Sequence, residues 1–263
     1  MNNGTPEPVL LPPAAVIASP EAVHASFWAA NRRRPAFLVI LAIGLAAFLI
    51  WLPSGARASL WTGLSAQRNL VVLLFLFALV TLSLVWTAGQ RLDARIFTLF
   101  NARGYPKWLD RLMWLATQLG NMLAAFLAAS LLFILNYRRM AFEIIFGTLL
   151  LWLLVETIKA LADRDRPFRL LEKTRVIGWK EIGHSFPSGH TTQIFFLATL
   201  FVHRFQLGLG VSIALYAISA LVGFTRIYVG AHYPRDVVAG AVLGSLWGIL
   251  TMLVNPYELS IHF

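Results

Sequence analysis

Long apolar runs recur along this chain, at residues 36–52, 70–88, 113–135, 141–161, 189–206, 209–225 and 236–254. A helix crosses a bilayer with roughly 17 to 25 mostly apolar residues. In hydrocarbon only helices and closed barrels satisfy their own backbone hydrogen bonds. The runs therefore predict an all-α, polytopic membrane helix bundle, with six core transmembrane helices and an extra N-terminal apolar helix. That extra helix, 36–52, is the weakest of the set, because it is short and ends at Pro53. Composition agrees. Of the residues, 58% are hydrophobic and 13% charged, whereas soluble domains carry about a quarter charged.

The chain divides by composition. Residues 1–31 are rich in proline and aperiodic, which predicts a flexible tail. Residues 32–68 hold "RRRP", the first apolar run and a linker; the charged stretch lies too far from the start for a cleaved signal, so an uncleaved anchor is expected. Residues 69–255 carry the remaining spans. Between two of them, 89–112 alternate charged and bulky apolar residues, predicting a short helix in the membrane interface. In the last span Gly240, Gly244 and Gly248 form one smooth stripe suited to close helix packing. The chain has no cysteine, which excludes thiolate and disulfide chemistry. Its net charge of +10 fits anionic headgroups or anionic substrates; with no soluble domain, nucleic-acid binding is not expected.

Three stretches break the apolar pattern: "KALADRDRP" at 159–167, "PSGH" at 187–190 and "TRIYVGAHYPRD" at 225–236. Counting crossings brings all three to the same membrane face. Collected there are Lys159, Arg166, Arg226, His190, His232 and Asp236. Three cations fixed at one place repel each other unless an anion joins them, and arginine forks match phosphate in a bidentate way. Ser188 is suited to cap the following helix, so that the free N–H groups near Gly189 and His190 point at the anion. Each residue also has a plain alternative. Lys159 can snorkel at a helix end, His190 can be a polar first-turn residue, and His232 a loop histidine near headgroups. Asp236 can cap the last helix, and Arg166 and Arg226 can anchor anionic lipid. Their convergence on one face favours a site. Glu156, three residues before Lys159, is expected to pair with it. His184 is expected to be a solvated loop residue, and Asp163 and Asp165 to pair locally with the alternating Arg164 and Arg166.

These stretches resemble the three-part signature K-x6-R-P, P-S-G-H and S-R-x5-H-x3-D of the type 2 phosphatidic acid phosphatases, whose fold is shared with vanadium haloperoxidases. Every spacing matches, and the one departure, Thr225 for serine, keeps the hydroxyl. The resemblance covers roughly residues 69–254. It implies that His232 is a nucleophile that becomes a phosphohistidine and that Asp236 orients its imidazole. It also implies that His190 protonates the leaving group, and that Lys159, Arg166, Ser188, Gly189 and Arg226 bind the phosphoryl oxygens. No cofactor or metal is expected, because the signature holds a single carboxylate and no ligand-spaced cluster. The expected partner is an anionic lipid phosphate in the membrane. A phosphotransferase at the same site and a non-hydrolytic transporter are the competing classes; a transporter would place ionisable groups near mid-membrane on several segments.

Sidedness pulls two ways. The resemblance implies a bacterial inner membrane with the site facing the periplasm or exterior. Most Lys and Arg, however, lie on the site's side if 36–52 spans, which would place that side in the cytoplasm. If 36–52 only dips into the membrane, six spans carry the site outward. The expectation is an outward-facing site and a cytoplasmic C-terminus.

Overall fold

The long apolar runs become helices, and their breaks fall where the sequence supplies a cap, a proline or a close approach. The computed structural model describes residues 65–84 and 87–254, together with Ile43, Gly55 and Thr62. The tail at 1–31, the run at 36–52 and most of the 32–68 segment lie outside the described residues. The chain separates into two units, 1–58 and 59–263, and all the helices named below belong to the second.

They are α1 (Arg68–Ser83), α2 (Thr87–Asn101), α3 (Lys107–Thr117), α4 (Met122–Ile134), α5 (Arg138–Ala162), the short α6 (Pro167–Leu170), α7 (Gly189–Arg204), α8 (Leu209–Tyr228) and α9 (Pro234–Val254). Proline opens α6 and α9 at positions where a helix has no use for the missing N–H. Among the described residues three helical stretches are long and apolar enough to cross a membrane, at 138–170, 209–228 and 234–254. The number rises to five when two bent pairs are each taken as one span. The protein is thus an all-helical, multi-pass membrane protein.

The run at 113–135, expected as one span, is broken instead. A short 3-10 turn, Gln118–Gly120, follows α3, and α4 leaves at an angle of 59°. Asn121 starts the new helix by accepting the Ala124 N–H at 2.8 Å. Gly120 makes the bend tight: a Cβ there would stand 2.6 Å from the His190 carbonyl oxygen. The break thus sets Gly120 directly against the first turn of α7. The 89–112 stretch resolves into α2 and the start of α3, with the axis of α2 at 93° to α1.

Helices α4, α5, α7 and α9 enclose the main core, built from residues such as Ala125, Ile144, Leu151, Phe196, Leu200 and Leu243. The glycine stripe of α9 packs on α7, as expected. A Cβ at Gly244 would come within 2.2 Å of the Thr192 carbonyl oxygen, so only glycine permits this distance. The opposite faces carry exposed Leu127, Leu131, Phe146 and Leu153; such a surface suits lipid and would be an aggregation liability in water. At the end of the bundle away from the site, Arg204 donates to buried Glu143 through Nε at 3.0 Å and Nη2 at 2.5 Å. Paired charges of this kind avoid the large cost of an isolated one.

Candidate active site

The three polar stretches meet at one end of the bundle. Lys159 lies in the last turn of α5, Arg166 just before α6, and Ser188 to His190 at the start of α7. Arg226 lies in the last turn of α8, His232 in the following loop and Asp236 in the first turn of α9.

Ser188 caps α7: its Oγ accepts from the Thr191 hydroxyl at 2.9 Å and faces the Thr191 N–H at 3.5 Å. The backbone N–H of Ser188 donates to the Asp236 carbonyl at 3.0 Å, which pins the starts of α7 and α9 together. The next N–H groups open the helix and have no partner within it. A methyl group on Gly189 would lie 3.9 Å from Lys159 Nζ, so the lysine amine stands over this turn. Lys159 also donates to Glu156 at 2.7 Å, the expected pair. Arg226 is buried and donates to the Thr117 hydroxyl at 2.7 Å, whereas the Thr225 hydroxyl turns back to the Val222 carbonyl at 2.6 Å.

His232 is buried, and both ring nitrogens are accounted for. Nδ1 faces the Ser185 carbonyl oxygen at 2.7 Å. A carbonyl can only accept, so Nδ1 carries the proton and donates it. Nε2 is left with its lone pair, and Arg166 Nη1 stands 3.3 Å from it. Arg166 is held in turn by the Ala231 and Gly183 carbonyls at 3.2 and 3.3 Å.

Asp236 does not contact His232 directly; Oδ2 lies 3.7 Å from Nδ1. Its carboxylate instead accepts from the Ser185 hydroxyl at 2.5 Å, the Tyr233 N–H at 2.9 Å and Arg164 at 2.5 Å. The same Arg164 donates through Nη2 to Asp93 of α2 at 2.5 Å and lies 4.3 Å above the Tyr233 ring. Asp93 also receives Arg235 Nε at 2.7 Å. The expected local pairing of Arg164 and Arg166 with Asp163 and Asp165 therefore does not hold. Asp165 takes Arg169 at 3.2 Å, Asp163 faces His184 at 3.1 Å, and the two arginines turn inward to distant carboxylates.

Glu181 also enters the site, from the loop between α6 and α7. Its carboxylate pairs with Arg166 at 2.7 Å and with Arg226, and lies 3.7 Å from His232 Nε2 and 4.0 Å from His190 Nδ1. Burial alone would raise this carboxyl, but the charges of Arg226 and Arg166 hold it far below the usual carboxylate range. Beside it lies a cavity of about 310 Å³ whose lining includes Trp114, Gln118, Asn121, Phe168, Trp179 and His190. Glu181, Ser185, Arg164 and Asp93 carried no signal in the sequence beyond residue type. Among the described residues no three His, Asp or Glu side chains converge as a metal-binding group.

An apolar helix bundle with arginines and a lysine gathered around a helix N-terminus and a buried histidine defines a membrane protein with a cation-rich polar cluster at one end. The profile of the PAP2 superfamily matches residues 140–260. The chain is 35% identical over 117 residues to a lipid A 1-phosphatase of Rhizobium johnstonii, a match covering 43% of this chain and 45% of the relative; it thus spans under half of that relative's length. The structure of Aquifex aeolicus LpxE superposes with a TM-score of 0.54 at 31% identity, covering 60% of this chain and 93% of that one. A transmembrane PAP2-type phosphatidylglycerolphosphate phosphatase from Bacillus subtilis shares the fold, with a TM-score of 0.60 at 24% identity, covering 71% and 96%. The chain belongs to the PAP2 superfamily.

Proposed function

We propose that this protein is a metal-independent membrane phosphatase that hydrolyses a lipid phosphate or lipid diphosphate through a phosphohistidine on His232. The observation that carries the reading is the His232 tautomer. With Nδ1–H donated to the Ser185 carbonyl at 2.7 Å, the Nε2 lone pair faces Arg166 and the cation cluster.

Arg166, Arg226, Lys159, the Ser188 hydroxyl and the first-turn N–H groups at Gly189 hold the phosphoryl oxygens and the charge that develops on them. The Nε2 lone pair attacks phosphorus, and the bond from phosphorus to the lipid oxygen breaks as the new P–N bond forms. Protonated His190 gives its proton to the departing oxygen. Neutral His190 then takes a proton from water as the water oxygen attacks the phosphohistidine, and the P–N bond breaks. Inorganic phosphate leaves, His232 is neutral again and His190 is charged again. Throughout, the Ser185 carbonyl and the Asp236 carboxylate behind it stabilise the cationic ring.

The six crossings of this reading are α1, the bent α3–α4 pair, α5, α7, α8 and α9, with 36–52 as an additional N-terminal apolar helix. The substrate's tails stay in the bilayer while its headgroup reaches the site. The membrane is a bacterial inner membrane, and the site faces its outer side. Resemblance to a lipid A 1-phosphatase supports lipid A phosphates among the substrates to be tried first.

Purified protein in detergent, with excess EDTA, is assayed for phosphate release from phosphatidate, phosphatidylglycerol phosphate, undecaprenyl diphosphate and lipid A phosphates, and the lipid products are weighed by mass spectrometry. Release from at least one of them, inhibited by vanadate, is expected. Loss of activity in EDTA that magnesium restores would overturn the mechanism. A phosphoryl group recovered on a second lipid would make the protein a transferase.

A further inference from the structure

Glu181 stands where an incoming phosphoryl group has to go. Its carboxylate joins Arg166 and Arg226, the two arginines of the cluster, and lies 3.7 Å from the Nε2 lone pair of His232. A phosphorus atom poised for attack by that nitrogen must come to about 3–3.5 Å from it, inside the space the carboxylate occupies. Two anions cannot share this cradle, so one has to leave. The segment that carries Glu181 is a short loop held at its far end by Arg166, which donates to the Ile182 and Gly183 carbonyls at 3.4 and 3.3 Å. It is bounded by Gly178 and Gly183, both in the left-handed region at φ +83° and +85°, where a side chain is strained. Between them Trp179 and Ile182 are 84% and 93% exposed.

We infer that Glu181 is a built-in anion seated in the phosphate cradle, an internal competitor that every phosphate ligand has to displace. The inference rests on the cradle being a phosphate site, as proposed above. Displacing Glu181 weakens every phosphate compound by the same factor, the reciprocal of the fraction of molecules with the cradle open. Inorganic phosphate binds only through its oxygens and bears that loss in full. A lipid phosphate also places its headgroup in the adjoining cavity of about 310 Å³ and its tails along the apolar flank of the bundle, and these contacts offset it. The same exchange helps expel the product: once the lipid has gone, Glu181 returns to the arginines and the phosphate is released.

The test compares the full-length protein with Glu181→Gln and Glu181→Ala, each first checked for monodisperse elution in detergent. Binding of inorganic phosphate is measured by calorimetry, which needs no turnover. In parallel, kcat/KM is measured for a long-chain lipid phosphate and for p-nitrophenyl phosphate. Both variants are expected to bind phosphate about tenfold tighter or more, and the ratio of the two kcat/KM values is expected to stay unchanged, because the displacement factor is common to both substrates. Unchanged or weaker phosphate binding in Glu181→Gln, the variant of the same shape, overturns the inference, as does a changed ratio, which would mean that Glu181 acts on one substrate and not the other. If the wild type binds phosphate but hydrolyses no ester, the hydrolase reading fails, and tightening in the variants still upholds the exchange.

Discussion

His232, in the loop before α9, and Asp236, in its first turn, do not touch: 3.7 Å separates Nδ1 from Oδ2, while the Ser185 carbonyl receives the imidazole N–H at 2.7 Å. The carboxylate reaches this arrangement through the Ser185 hydroxyl, which donates to it at 2.5 Å. Ser185 thus bridges the pair with both its backbone and its side chain. Ser185→Ala keeps the carbonyl and loses only the tether, so kcat is expected to fall by about tenfold with KM little changed. Asp236→Asn also disturbs the charge balance around Arg164, and its loss should be larger, towards the roughly 10⁴-fold seen when a catalytic triad loses its orienting carboxylate. Steady-state kinetics on the two variants checks the order; an equal loss in both would assign Asp236 no role beyond the tether.

Replacing the nucleophile itself leaves nothing to orient. His232→Ala is expected to abolish turnover and, with it, the acid-labile phosphoenzyme that rapid quenching of the wild type should trap. Thr225→Ser should be nearly silent, because the hydroxyl only closes on the Val222 carbonyl within its own helix. Turnover by His232→Ala at the wild-type rate would remove the phosphohistidine from the mechanism.

The parts of the fold set by local chemistry were legible in the sequence. Helices α5, α7, α8 and α9 follow the apolar runs within a few residues, and Ser188 marks where α7 starts. Lys159, Arg166, His190, Arg226, His232 and Asp236 could be gathered by counting crossings, since helix parity alone decides which ends share a face. The partners that come from far along the chain were not legible. Glu181 reads as any loop glutamate until the 171–188 segment folds back over Arg226. Arg164 reads as paired with its acidic neighbours until helix α2 presents Asp93 across 71 residues of sequence. The bend at Gly120 was hidden for a similar reason: it answers to the His190 carbonyl, a contact that hydropathy does not encode.

Asp93 supports the site from outside it. One buried carboxylate receives Arg164 at 2.5 Å and Arg235 at 2.7 Å, and Arg164 passes the constraint to Asp236. Removing one partner of a buried charged network leaves the others uncompensated. Arg164→Ala is therefore expected to lower kcat by about 10²-fold or more and to reduce thermal stability, with Arg164→Lys recovering part of the charge but not the two-pronged geometry. Asp93→Asn should give a smaller fall in kcat at similar KM. A change confined to KM in these variants would mean that the network positions substrate and not the histidine.

Acidity should not open the Glu181 contact. The folded carboxyl is held far below its unfolded value of about 4.3. A group depressed in this way stabilises the folded arrangement above the unfolded pKa, and the contribution disappears only as pH falls through the folded value. Around it stand Arg166, Arg226, His190 and His232; protonating either histidine adds positive charge and tightens the hold. Trp179, which meets Trp114 edge-on with ring centroids 6.4 Å apart, reports on the loop. The emission difference between wild type and Trp179→Phe should stay flat from about pH 5 to pH 8 and change when vanadate is added at fixed pH. A sigmoidal transition within that window, without ligand, would contradict the anion-exchange account.

Sidedness is open to a direct measurement because the chain has no cysteine of its own. Ile182 is 93% exposed and sits beside the site, so Ile182→Cys places a single thiol on the site's face, and a cysteine added after Asn255 marks the far end of α9. Basic residues are denser on the site's side, and the positive-inside rule taken alone would turn that side to the cytoplasm. Several of those residues have other work, however. Arg164, Arg166, Arg175, Arg226 and Arg235 are paired with carboxylates, and Lys159 stands over the cradle. Their positions answer to the site's chemistry as much as to insertion. The expected result is that a membrane-impermeant maleimide labels Ile182→Cys in cells with a permeabilised outer membrane and leaves the C-terminal cysteine unlabelled until the inner membrane is opened. The reverse pattern would place the phosphate site in the cytoplasm, where the positive-inside rule taken alone would put it.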